Sequence, residues 1–133
     1  MFRMTLTYTL MFAIVLTLIN LWLSFRTGQV RIGSKVLMGD GGNPLLQARR
    51  RAHANFVEYV PLTLLLFGLI EMRVGPSQLL FGIGLVLVVA RLLHPLGMDR
   101  PAPNASRAAG FALTVAVIVA LVGWGAMLLY GLA

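Results

Sequence analysis

The chain has 133 residues, 59% of them hydrophobic and only 11% charged, and no cysteine. A soluble domain carries about a quarter charged residues, so this composition, with a mean hydropathy of +0.87, reads as a single integral membrane domain spanning residues 1–133. A net charge of +7 would suggest nucleic acid in a soluble protein; here topology explains the basic residues better, and the lack of cysteine excludes disulfides, thiolate metal sites and a cysteine nucleophile.

Between Met4 and Phe25 the chain is uncharged and about the 20 residues that a span requires. Arg3 ahead of it imitates a signal peptide, but the apolar run exceeds a signal core of about 7–15 residues and no A-x-A site follows. It reads as the first membrane helix. Thr27-Gly28 is predicted to end it, with a glycine-bearing loop reaching to about Pro44. Asn43 is predicted to cap the second helix with Pro44 at its first position, and the embedded part of that helix to end near Met72. A tight turn at Arg73-Val74-Gly75-Pro76-Ser77 leads into a third helix from about Pro76 to Pro95. Its uncharged core, between Arg73 and Arg91, is just long enough to cross. After Pro101, Asn104 or Ser106 is predicted to cap a fourth helix, uncharged from Ala108 to Ala133.

The fold class expected is therefore all-α and integral to the membrane, an up-down-up-down bundle of four transmembrane helices. Gly68, Gly82, Gly84, Gly110, Gly123 and Gly125 lie inside spans, where small residues usually mark close helix approach. Arg26, Arg31, Lys35, Arg49, Arg50 and Arg51 fall between the first two spans, and Arg91, Arg100 and Arg107 cluster around the third connection. Only Arg3 and Arg73 lie on the other side. The positive-inside rule thus puts both long loops in the cytoplasm and both termini outside. In a bacterium the membrane is the cytoplasmic one.

Arg51, Asn55 and Glu58 are the polar anomaly of helix two. At i, i+4 and i+7 they stack within roughly 60° of one helix face, and charges in a membrane segment are costly unless paired or used. Two readings are open: a polar network that only holds the bundle together, with Glu58 pairing to an arginine such as Arg91, or a binding site. Arg91 and His94 share a face of helix three. His53 and His94 are the only histidines, too few for a metal site, and none is expected. Arg107 lies in the first turn of helix four, where the helix dipole disfavours cations. It either snorkels to lipid headgroups or concentrates positive potential for a phosphate, carboxylate or thiolate. In an antiparallel bundle all these groups, with Arg31, gather at one end, as one positive site with one carboxylate. That end-on gathering argues against a channel or transporter.

Thr27-Gly28-Gln29-Val30-Arg31, Arg51-Ala52-His53-Ala54-Asn55 with Glu58-Tyr59-Val60-Pro61, and Arg91-Leu92-Leu93-His94, followed by Arg107, resemble the MAPEG family over essentially the whole chain. The pattern is most similar to the branch holding microsomal prostaglandin E synthase and microsomal glutathione transferase. The resemblance implies a homotrimer that binds glutathione between neighbouring subunits near the cytoplasmic face. By position, Arg31, Arg51, Asn55, Glu58, Tyr59, Arg91 and His94 would form its binding site, with arginines on the carboxylates and Glu58 on the ammonium. Arg107 would be catalytic, holding the thiol as thiolate for attack on a lipophilic electrophile or peroxide from the bilayer. Met98 stands where some members have tyrosine, and Ala108 where the prostaglandin synthases have serine, which counts against prostaglandin isomerisation. A non-catalytic protein holding an anionic lipid or metabolite in the same positive site is the alternative expectation.

Overall fold

Four helices make up most of the described residues. The computed structural model describes residues 6–132 and contains α1 (Thr7–Ser34), α2 (Pro44–Val74), α3 (Gln78–Met98) and α4 (Ala105–Leu129). Met4, Arg3 and Ala133, on which sequence expectations fell, lie outside the described residues. α1, α3 and α4 are long and apolar enough to cross a bilayer by themselves, which makes this an all-α membrane bundle. α2 is longer still but carries Arg49, Arg50, Arg51, Glu58, Glu71 and Arg73.

Local sequence sets the helix ends. The Asn43 side chain accepts from the backbone N–H groups of Leu45 and Leu46, with Pro44 at the first helical position. Asn104 caps α4 in the same way, accepting from Ser106 and Arg107; Ser106 instead donates its hydroxyl to the Leu93 carbonyl of α3. Thr27-Gly28 does not end α1. One interior glycine costs only about 1 kcal/mol, and Thr27 folds its hydroxyl back onto the Leu23 carbonyl at 3.0 Å. The helix runs to Ser34 and stops where Lys35 turns left-handed, with φ of 55°. At 28 residues and about 1.5 Å per residue, α1 outreaches the roughly 30 Å hydrocarbon core, so its basic end projects beyond it. α3 likewise passes Pro95 and ends at Met98.

Antiparallel succession puts the C-termini of α1 and α3 and the N-termini of α2 and α4 at one end. Phe12, Leu16, Ile19 and Leu23 form the inward stripe of α1, meeting Phe56, Val60, Phe67 and Ile70 of α2, Leu80 and Leu87 of α3, and Val117 and Leu121 of α4. Among the described residues α1 and α4 do not touch, and α3 and α4 share the most extensive contact. That contact runs backbone to backbone. A β-carbon on Gly110 would lie 2.5 Å from the His94 amide nitrogen, and one on Gly97 would overlap the Arg107 backbone. Gly84 lies under the Phe12 ring, while a β-carbon added at Gly82 or Gly123 would meet nothing within 4 Å from another element, so these two mark no close approach among the described residues.

At the opposite end a buried carboxylate fastens α1 to α2. Glu71, 1% exposed, accepts from the backbone N–H groups of Tyr8 (2.8 Å) and Thr9 (2.7 Å) and from the Thr9 hydroxyl (2.6 Å). α1 has no acid in its first turn and no side-chain cap of its own, so Glu71 supplies both functions from another helix. Replacing Glu71 with alanine leaves those donors buried and unpaired, and is expected to cost about 2–3 kcal/mol. Thermal unfolding in detergent measures this, and Glu71→Gln, which keeps one acceptor oxygen, should lose less.

Candidate functional site

Three consecutive arginines open α2, and at about 100° per residue they must point three ways. Arg49 turns toward α1 and α3, donating to the Arg26 carbonyl at 3.0 Å and lying 3.6 Å from Asp99. Arg26 pairs directly with Asp99 and lies 4.5 Å over the Trp22 ring. Arg50 reaches Asp40 of the preceding loop at 3.9 Å. Arg51 turns out of the bundle and pairs with Glu58 at 3.3 Å, two helical turns on, the two side chains being 62% and 49% exposed.

Asn55 does not follow Arg51 outward. It is buried, and its side-chain oxygen accepts from Nη2 of Arg91 at 3.0 Å. Arg91 is 0% exposed. Its Nη1 donates to the Thr114 hydroxyl at 3.3 Å, and its guanidinium lies 5.4 Å over the Phe56 ring. Glu58 is not its partner, because Glu58 stands outside with Arg51. A buried cation is costly unless its donors are used; here both terminal nitrogens are used and Nε has no partner among the described residues. In this arrangement Arg91 joins α2, α3 and α4 from inside and presents no surface to a ligand.

The remaining predicted residues divide between two grooves on either side of Arg51. One, about 820 Å³ between α1 and α2, is lined by Thr27, Arg31, Gln47, Arg50, Arg51 and His53. The other, about 420 Å³ at the α2–α3–α4 junction, is lined by Arg51, Asn55, His94, Met98, Arg107 and Phe111. On one chain, therefore, Arg31 and Arg107 do not meet in a single site, and Arg51 is the wall they share. Arg31 also donates from Nη1 to the carbonyls of Val36, Leu37 and Gly39. Glu58 and Tyr59 line a third, apolar groove of about 490 Å³ between α2 and α4, and Tyr59 packs edge-on to Phe111 with ring centroids 6.3 Å apart.

At the α4 end the chemistry is concentrated. His94 is 5% exposed, and its Nδ1 has no hydrogen-bond partner among the described residues. The exposed Arg107 stands across the same groove, one turn into α4. Contact of Gly97 and Gly110 with the facing backbones fixes this proximity. The arrangement suits a polar, anionic group that meets Arg107 and Arg51 beside His94.

The MAPEG family model matches residues 9–127 of this chain. The chain belongs to that family. It is also 33% identical over 87 residues to the inner membrane protein YecN of Escherichia coli, strain K12, and to the same protein of Escherichia coli O6:H1, strain CFT073. The alignment covers 65% of this chain and 66% of each relative, just under two thirds of their length. The relatives' name gives a place, the inner membrane, and no reaction.

Within this MAPEG chain, sequence reasoning missed Arg50, Gln47 and His53 as groove residues and the Arg26–Asp99–Arg49 cluster. The signal was present in the acid count. Only four carboxylates face eleven lysines and arginines, and each acid has a specific partner: Asp40 with Arg50, Glu58 with Arg51, Glu71 with the α1 end, and Asp99 with Arg26. His53 is held by the Asn20 side chain at 2.9 Å.

Asn55 and Arg51 make a sharp contrast on one helix. Asn55→Leu strands the buried Arg91 and is expected to destabilise the bundle by about 1.5–3 kcal/mol. Arg51→Ala removes only an exposed pair and should change stability by less than about 1 kcal/mol. Unfolding midpoints of the two variants in the same detergent test this.

Proposed function

We propose that this protein is a membrane glutathione transferase, with glutathione-dependent peroxidase activity as the second outcome of the same site. The observation that carries the reading is Arg107, an exposed guanidinium in the first turn of α4, in a groove that it lines together with Arg51 and His94. Positive charge at a helix N-terminus stabilises a thiolate. The remaining donors fit the rest of the ligand: Arg31 and Arg51 for its carboxylates, and the outward-facing Glu58 for its ammonium. Asn55 and Arg91 act from behind, by holding α2 against α3 and α4. Bound there, the thiol supplies a sulfur nucleophile for lipophilic electrophiles or peroxides.

This reading includes a homotrimer, which the exposure of one polar pair supports. Arg51 and Glu58 face outward on α2, where hydrocarbon would be costly, and neighbouring copies would cover them. Such packing would bring the Arg31 groove of one copy toward the Arg107 groove of the next, so that the two half-sites become one. α2 is then the fourth crossing, with both termini outside and the basic end cytoplasmic.

A second reading is a non-catalytic protein holding an anionic lipid or metabolite, favoured by the α1–α2 groove, whose three arginines suit any compact anion. Native mass spectrometry of the purified protein separates the two: retained phospholipid supports the second, bound thiol the first.

Arg107→Ala is expected to lower the conjugation rate about a hundred-fold. Its effect on thiol affinity should be small, since Arg31 and Arg51 remain. The pH–rate midpoint should also rise toward the free-thiol value near about 8.5, because loss of the cation removes what holds the thiolate. An unchanged rate and midpoint would exclude the proposed role.

A further inference from the structure

The segment between α1 and α2 is a built structure held against the basic groove. Gly39, Gly41 and Gly42 all have positive φ, at 67°, 57° and 75°, and a β-carbon on Gly41 would lie 2.7 Å from the Val36 side chain. Two of the three arginines lining the α1–α2 groove hold this segment. Arg31 donates to the Val36, Leu37 and Gly39 carbonyls at 3.3, 3.3 and 3.1 Å, all through Nη1. Arg50 faces Asp40, whose other carboxylate oxygen accepts from the Gly42 amide at 3.0 Å.

We infer that Asp40 is an affinity-setting residue, a tethered carboxylate that competes with an incoming anionic ligand for Arg50 at the mouth of the α1–α2 groove. The inference rests on the reading that this groove takes an anionic ligand. The two arginines divide the work. Arg31 meets the loop through a single nitrogen, so its bonds to the loop and to a ligand are compatible. Arg50 has one carboxylate partner at 3.9 Å with both side chains partly exposed, a pair weak enough to exchange. A ligand carboxylate therefore displaces Asp40 from Arg50 while Arg31 keeps the strap in place.

Asp40→Asn tests this cleanly, because asparagine keeps a side-chain oxygen for the Gly42 amide and removes only the charge. Calorimetric titration of native and Asp40→Asn protein, with glutathione and separately with sulfate as a plain anion probe, is the measurement. The variant is expected to bind both probes about two- to five-fold more tightly, with the gain shrinking as salt rises from about 0.05 to 0.5 M. Equal or weaker binding by the variant overturns the inference, weaker binding of glutathione alone making Asp40 a receptor for its ammonium. Tighter sulfate binding without glutathione binding keeps the inference and defeats the thiol reading. Failure of both probes to bind either protein overturns both.

Discussion

A guanidinium with no carboxylate lies at the centre of this bundle. Arg91 is fully buried, and its two terminal nitrogens and its face meet Asn55 of α2, Thr114 of α4 and the ring of Phe56, while Nε has no partner among the described residues. Removing a cation from water is expensive unless its hydrogens find partners. The three helices are therefore held in the one relative placement that supplies them. Thr114 is itself fastened, its hydroxyl donating to the Gly110 carbonyl, and Gly110 is where α4 rests on the backbone of His94. One interior interaction thus fixes the register of α4 on α3, and with it the distance across which Arg107 and His94 face each other. The residue that looked like a ligand contact acts by positioning those that are exposed.

Charge imbalance explains why the rest of that end is a site. The carboxylates are committed to joints: Glu71 to the N-terminus of α1, Asp99 to Arg26, and Asp40 and Glu58 to the adjacent Arg50 and Arg51. Nothing within the described chain neutralises Arg107, and Arg31 has only backbone carbonyls. A surplus of cations facing two open grooves is unfavourable for folding and favourable for binding an anion. The structure tolerates it because α1 projects the basic end past the hydrocarbon, where water and headgroups screen it.

The fold was largely legible because its determinants are local. Asn43-Pro44 and Asn104 are caps wherever they occur, and uncharged runs near span length have few alternatives in a membrane. The site was legible only in part. Spacing placed Arg51, Asn55 and Glu58 on one face, but a spread of roughly 60° is enough to straddle a groove edge, so Arg51 and Glu58 emerge while Asn55 turns in. Arg91 and His94 share a face, yet burial differs in consequence: one is closed in by α2 and α4, the other lines a cavity. Asp99 with Arg26, and Asp40 with Arg50, are non-local pairs that no periodicity signals. The end of α1 was misplaced because Thr27-Gly28 resembles a terminator, whereas the actual stop is set by Lys35 and by the loop that Arg31 holds.

Arg51 shows why the two half-sites belong to one design. Among the described residues it alone lines both cationic grooves, and its partner Glu58 lines the apolar groove beside them. An exposed arginine–glutamate pair is worth little in water, so stability does not account for its placement on the outward face of the most polar helix. Left facing lipid it would be costly. In the proposed trimer a neighbouring copy would cover it and make it the seam at which a cation-rich groove, a groove ending in Arg107 and an apolar path from the bilayer come together. On the proposed function, an amphipathic acceptor and a polar, anionic thiol would need that junction, because neither groove alone offers both a charged wall and a route from lipid. The energetic anomaly on α2 is in that sense the feature around which the site is assembled.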